Sequence, residues 1–198
     1  MCMSIYYNVV VAKHRVEVKV TSSAKLTNQA TRNTLFNMKK YSIHVEKDYL
    51  KFSAAHFLVF GEKCERLHGH NYAVSVDLEG ELDDIGYIFD FIMLKEFAEN
   101  HCNELDHKTI IPSKNKHLQV TESNGNVEVS FRDKKFIFPE SDVVILPIKN
   151  CTAELLAYYL SKKIRGDLKD MGADNISLIK VGVEESPGQI AYYVEKMD

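Results

Sequence analysis

The chain has 198 residues, 45% of them hydrophobic, and a formal net charge of −3, which fits one domain of ordinary size. Acidic and basic residues are mixed along it, which excludes the clustered Lys/Arg footprint of a nucleic-acid binder. No apolar run nears the roughly 20 residues of a membrane span and no secretory pattern opens the chain, so a cytoplasmic protein without a membrane or nucleic-acid partner is expected.

Residues 1–37 divide into an alternating piece, Tyr6 to Val20, and a polar stretch, Thr21 to Asn37, rich in Ser, Thr, Asn and Lys. They read as a poorly ordered extension ahead of Met38, and 38–198 as the domain proper. In Lys39 to Phe57, the residues Tyr41, Ile43 and Val45 alternate with polar ones as in a half-buried strand. Tyr72, Val74, Val76 and Leu78 repeat the period of two from Asn71 to Glu79, and Gly80 to Gly86 supplies a turn. The two segments are expected to pair antiparallel.

Asp90 is placed as the N-cap of a helix over Phe91 to Asn103, whose apolar stripe contains Met93, Leu94 and Phe97. Ser123-Asn124-Gly125-Asn126, between Leu118 to Thr121 and Val127 to Phe131, is hairpin sequence inside an insert at about 112–142. Thr152 caps a second helix, Ala153 to about Arg165. Ile176 to Val183 and Ile190 to Lys196 close the chain as two strands. Runs of strands with helices between them predict an α+β fold: an antiparallel four-stranded sheet with two helices on one face plus the inserted hairpin. The other face needs cover, which oligomerisation would supply.

In His68-Gly69-His70 a single residue separates two imidazoles, so an extended backbone projects both from one face. Antiparallel pairing can bring His56 beside them. Three neutral imidazoles leave one tetrahedral position of a zinc ion open, the arrangement of a catalytic rather than a closed site. His68 and His70 alone read equally well as surface histidines, and it is His56 and Cys64 that favour a metal. Cys64, four residues before His68, is either a fourth ligand or a nearby thiolate, and both roles need a lowered pKa that a metal and Lys63 would help provide. The other cysteines, Cys2, Cys102 and Cys151, are scattered and form no disulfide framework. Asp106 and His107, taken alone, are ordinary polar residues at a helix end.

Phe52-Ser53-Ala54-Ala55-His56, followed by Cys64-Glu65-Arg66-Leu67-His68-Gly69-His70-Asn71-Tyr72, resembles the signature of the 6-pyruvoyl-tetrahydropterin synthase family, which includes the 6-carboxy-tetrahydropterin synthases of 7-deazaguanine biosynthesis. The resemblance runs from about Tyr41 to Tyr193. It takes in Asp90-Phe91, Leu94-Lys95, Leu105-Asp106-His107-Lys108, Thr152-Ala153-Glu154 and Glu185-Ser186. It implies the tunnelling fold, Zn2+ on His56, His68 and His70, Cys64 as general base, and Asp106 with His107 as a proton relay. Glu185 is implied to grip the pterin, with Thr152 and Glu154 nearby. Glu184 is chemically as good a carboxylate, and Glu185 is preferred because it shares strand parity with Val181 and Val183.

The implied substrate is 7,8-dihydroneopterin triphosphate. Three residues between Cys64 and His68 favour 6-carboxy-5,6,7,8-tetrahydropterin, acetaldehyde and triphosphate as products over 6-pyruvoyl-tetrahydropterin. A hexameric homo-oligomer with sites between subunits is also implied. A non-catalytic zinc or pterin-binding module is the rival, and intact Cys64, Asp106 and His107 argue against it.

Overall fold

The computed structural model describes Tyr7–Val11, His14–Val18 and residues 40–197. The first two segments, β1 (Tyr7–Val11) and β2 (His14–Val18), pair antiparallel within a unit of residues 1–39 that is separate from residues 40–198. The remainder of the N-terminal extension, for which poor order was expected, lies outside the described residues.

From residue 40 onward the centre of the molecule is the antiparallel pair β3 (Tyr41–His56) and β6 (His68–Gly80). β12 (Ile176–Ser186) adds antiparallel to β6, and β13 (Gln189–Lys196) adds antiparallel to β12. These four strands are the expected sheet. On the other edge, β7 (Lys108–Pro112) pairs parallel to β3, and β11 (Val143–Leu146) parallel to β7. The sheet is therefore six-stranded and mixed, in the order β11-β7-β3-β6-β12-β13, not purely antiparallel. The two added strands flank the insert, whose excursion supplies the long crossover that parallel pairing requires.

Period-two alternation decides the faces. Val45, Phe52, Ala54, Tyr72, Val74, Val76, Leu78, Ile179, Val181 and Val183 form the buried face, and register pairs such as Val45↔Val76 and Val181↔Val76 keep them on one side. Helices α1 (Phe91–Leu105) and α2 (Ala153–Asp170) cover it through Leu94, Ala98, Cys102 and Leu105 and through Leu156, Leu160, Ile164 and Leu168. Each fully buried leucine or isoleucine of this set contributes on the order of 1.5–3 kcal/mol. The opposite face carries polar groups, with His44 Nδ1 3.0 Å from an Asp77 oxygen and Lys180 Nζ 3.5 Å from the other.

Both expected caps form. Asp90 Oδ1 accepts from the amides of Ile92 at 2.7 Å and Met93 at 3.0 Å, and Thr152 Oγ1 accepts from Leu155 N–H at 3.4 Å. α2 outruns the expected end at Arg165, passing through Gly166 to Asp170.

The insert is a three-stranded sheet, not a hairpin: β8 (Gln119–Ser123), β9 (Asn126–Phe131) and β10 (Lys134–Pro139). Asn124 and Gly125 turn β8 into β9 at φ 51° and 72°, the left-handed pair that a tight hairpin demands. Its buried side packs on Phe57, Val59 and Ile111 as a second, smaller core. Two further short strands, β4 (Val59–Phe60) and β5 (Lys63–Cys64), make a hairpin between β3 and β6. Among the described residues no helix is long and apolar enough to cross a membrane.

Candidate metal centre

The ends of β3 and β6 place the histidines. His56 pairs with His68 and Ala54 with His70, so strand alternation aims all three imidazoles from the helix-covered face. Their ring centroids lie 4.5 Å (His56–His68) and 5.2 Å (the other two pairs) apart. One donor atom from each lies within 4.8 Å of the others, a group that could hold a metal ion. Gly69 lets the strands meet here, because a Cβ at that position would stand 2.9 Å from the Ala54 carbonyl oxygen.

The donor set fits a divalent metal. His56 Nδ1 donates to the Cys151 carbonyl at 2.8 Å and His68 Nδ1 to the Arg66 carbonyl at 2.9 Å. A carbonyl only accepts, so each bond fixes the proton on Nδ1 and leaves Nε2 with a free lone pair, the outer-shell pattern typical of metal-binding histidines. Burial, above all other influences, lowers the His56 pKa, which keeps the ring neutral and able to ligate.

Glu185 reaches the same place from β12. Its Oε1 is 3.7 Å from His56 Nε2, 3.9 Å from His70 Nε2 and 3.4 Å from the Tyr72 hydroxyl. Glu184 turns to the opposite face, where its carboxylate accepts the Gly188 amide at 2.6 Å. A cavity of about 390 Å³ begins at Glu185 and is lined by Leu58, Thr152, Glu154, Gln189 and Ile190. Thr152, Glu154 and Glu185 thus share one recess beside the histidines. Periodicity marks Tyr72 only as an alternating strand residue, although its parity with His68 and His70 is a signal that its hydroxyl ends at the site. That hydroxyl lies 3.3 Å from His56 Nδ1, and burial followed by the Glu185 charge holds its pKa above the ordinary value.

Cys64 sits on the β4–β5 hairpin, which Asn150 braces through both the amide and the carbonyl of Val59, at 3.1 and 3.2 Å. It is not one of the clustered donors, which favours the neighbouring thiol over the fourth ligand. Burial raises its pKa and the cation that opposes this is Lys134, not Lys63. Cys102 and Cys151 are fully buried, with thiols pushed up to about 12 by desolvation.

Asp106 and His107 form a pair of their own at the edge of β3. Asp106 Oδ1 accepts the Ser53 amide at 2.7 Å and Oδ2 meets His107 Nδ1 at 2.7 Å. The Ser53 bond, ahead of the His107 contact, draws the Asp106 pKa down. His107 holds φ 56°, left-handed backbone that a non-glycine residue adopts at a cost of about 1–3 kcal/mol and most often where function demands it. The pair does not join the histidine cluster. His107 lines a cleft with Ser53, Ala55, Gly69 and Asn71, whose parity is opposite to that of the three histidines, and also with Ala54 and His70, so the cleft reaches the edge of the cluster.

The family model of 6-pyruvoyl tetrahydropterin synthase matches residues 42–196. The chain belongs to this family. A Methanocaldococcus jannaschii protein provisionally named 6-carboxy-5,6,7,8-tetrahydropterin synthase is 39% identical over 146 residues, covering 73% of this chain and 89% of its own. A Pyrococcus abyssi protein of the same provisional name is 38% identical over 143 residues, 71% of this chain and 83% of its own. The crystal structure of Plasmodium vivax 6-pyruvoyl tetrahydropterin synthase superposes with a TM-score of 0.75 at 33% identity, over 80% of this chain and 99% of that one.

Proposed function

We propose that this member of the family is a zinc-dependent lyase that converts 7,8-dihydroneopterin triphosphate and one water molecule into 6-carboxy-5,6,7,8-tetrahydropterin, acetaldehyde and triphosphate, in a cytoplasmic 7-deazaguanine route of the queuosine or archaeosine type. The observation that carries it is the cluster of three histidines beside Glu185, two of which, His56 and His68, have Nε2 left free by an Nδ1 bond to a carbonyl. The names of its archaeal relatives support the carboxy product.

His56, His68 and His70 would hold the zinc, which when bound supplies a Lewis acid for the hydroxyl oxygens of the pterin side chain. The rest falls to the chain. Glu185 accepts the N–H groups of the amino-pyrimidine edge, a bidentate recognition that rejects rings lacking those donors. Thr152 and Glu154 line the recess that receives the ring. Cys64, as thiolate, removes a proton from the side chain. His107, with Asp106 fixing its tautomer and raising its basicity, delivers a proton on the other side. The exposure of His107 and its absence from the clustered donors support a homo-oligomer, a hexamer in this reading, whose sites are completed between subunits.

The 6-pyruvoyl outcome is the second reading, favoured by the 33% identity to an enzyme titled for that product. Incubation of the purified protein with dihydroneopterin triphosphate, with and without a chelator, separates the two by mass spectrometry. The carboxy product with acetaldehyde, lost on chelation and restored by zinc, is expected. A 6-pyruvoyl product would reverse the assignment, and an untouched substrate would end it.

A further inference from the structure

The insert does more than decorate the edge of the fold. Val127, Val129 and Phe131 of its buried side, with Phe136 and Phe138 of β10, close on Phe57 and Val59. Phe57 is the residue after His56, and its ring stacks on Phe136 at 4.8 Å. Cys64 packs against this same small core. The β9–β10 turn, with Arg132 at φ 54°, and the first residue of β10, Lys134, then touch the Cys64 hairpin with two cations. Arg132 Nη2 pairs with Glu62 at 3.0 Å. Lys134 Nζ donates to the Glu65 carbonyl and, at 3.5 Å, to the Cys64 carbonyl, with its ammonium 4.8 Å from the centre of the Phe136 ring.

The acceptors that fix Lys134 in this loop are neutral carbonyls, so its charge is not spent on a carboxylate there. The charged groups acting on the thiol are Lys134, from β10, and Glu65, from the thiol's own loop. Lys134 favours the thiolate through its charge, against the burial that is the larger influence and raises the pKa, while the Cys64 Sγ–H donates to the Glu65 carbonyl at 3.5 Å. A cation beside a half-buried cysteine is the usual means of making its thiolate available near neutral pH.

We infer that Lys134 is a positioning residue which clamps the Cys64 loop through its main-chain carbonyls and supplies the counter-charge of the Cys64 thiolate, making the insert a working part of the site. The inference rests on the reading of Cys64 as the base.

The test uses the full-length, zinc-loaded protein and three variants, Lys134→Gln, Lys134→Arg and Cys64→Ala. Alkylation of Cys64 by iodoacetamide is followed against pH by mass spectrometry of its own peptide, so that Cys2, Cys102 and Cys151 do not enter. Lys134→Gln keeps a donor for the carbonyls and removes the charge. Its alkylation midpoint rises by about one pH unit, and its turnover at neutral pH falls about tenfold with KM unchanged, recovering as pH is raised. Lys134→Arg restores most of both. Should Lys134→Gln melt before assay, Lys134→Met takes its place. An unmoved midpoint in a folded charge-removing variant, while Cys64→Ala abolishes turnover, overturns the role of Lys134 alone. Wild-type turnover in Cys64→Ala overturns the base and, with it, this inference.

Discussion

The histidine corner and the Asp106–His107 corner are built from opposite materials. His56 is fully buried and bonded to the Cys151 carbonyl at the start of α2. The His107 side chain is 82% exposed and is held by its neighbour Asp106. The first corner is finished within one chain, because long paired strands aim its rings and a helix start fixes the innermost one. The second is oriented and yet open, on a cleft that reaches the first corner only at His70. Under the proposed function, the exposed pair of one copy completes the histidine corner of another.

The largest effect expected from that division is a complementation. Cys64→Ala and His107→Ala, assayed separately, each lose about 10²- to 10⁴-fold in turnover. Refolded together, they regain roughly a quarter of wild-type activity, the share of sites at which random pairing of chains joins two intact halves. Absence of recovery in mixed oligomers would place both groups in one chain and break the comparison.

What the sequence disclosed follows the same physical divide. The His68 and His70 pair, the side on which Glu185 rather than Glu184 points and the faces of β6 and β12 were readable because alternation in a strand is a local rule. Asp90 and Thr152 were readable because a cap acts within three residues. β7 and β11 were not, since parallel partners separated by the whole insert leave no mark on either short apolar run. β10 escaped because its turn, Arg132-Asp133, lacks the Gly or Asn that announces a left-handed residue. Lys134 had no local signature at all. Its meaning comes from a tertiary contact across some 70 positions of chain, with Cys64.

The smallest effect sharpens the contrast by pH. The pKa of His56 is lowered in the fold, so the unfolded chain takes up the proton first. Its stabilising contribution is present above the ordinary value of 6.5 and fades as pH drops through the folded pKa. The pKa of Asp106 is also lowered, from 3.8, so its contribution fades only in stronger acid. Melting temperatures of the metal-free protein should decline in a first, weakly acidic step that His56→Gln removes and Asp106→Asn leaves in place. A first step that survives in His56→Gln contradicts the assignment.

The central claim is an ion held by three imidazoles, with one place kept for substrate. X-ray absorption at the zinc edge of the loaded protein reads that shell directly. It should show three nitrogen scatterers at about 2.0–2.1 Å and one further light atom that changes when a dihydropterin is added. A sulfur scatterer at about 2.3 Å would make Cys64 a ligand instead of the base, and zinc bound without three imidazoles would contradict the account.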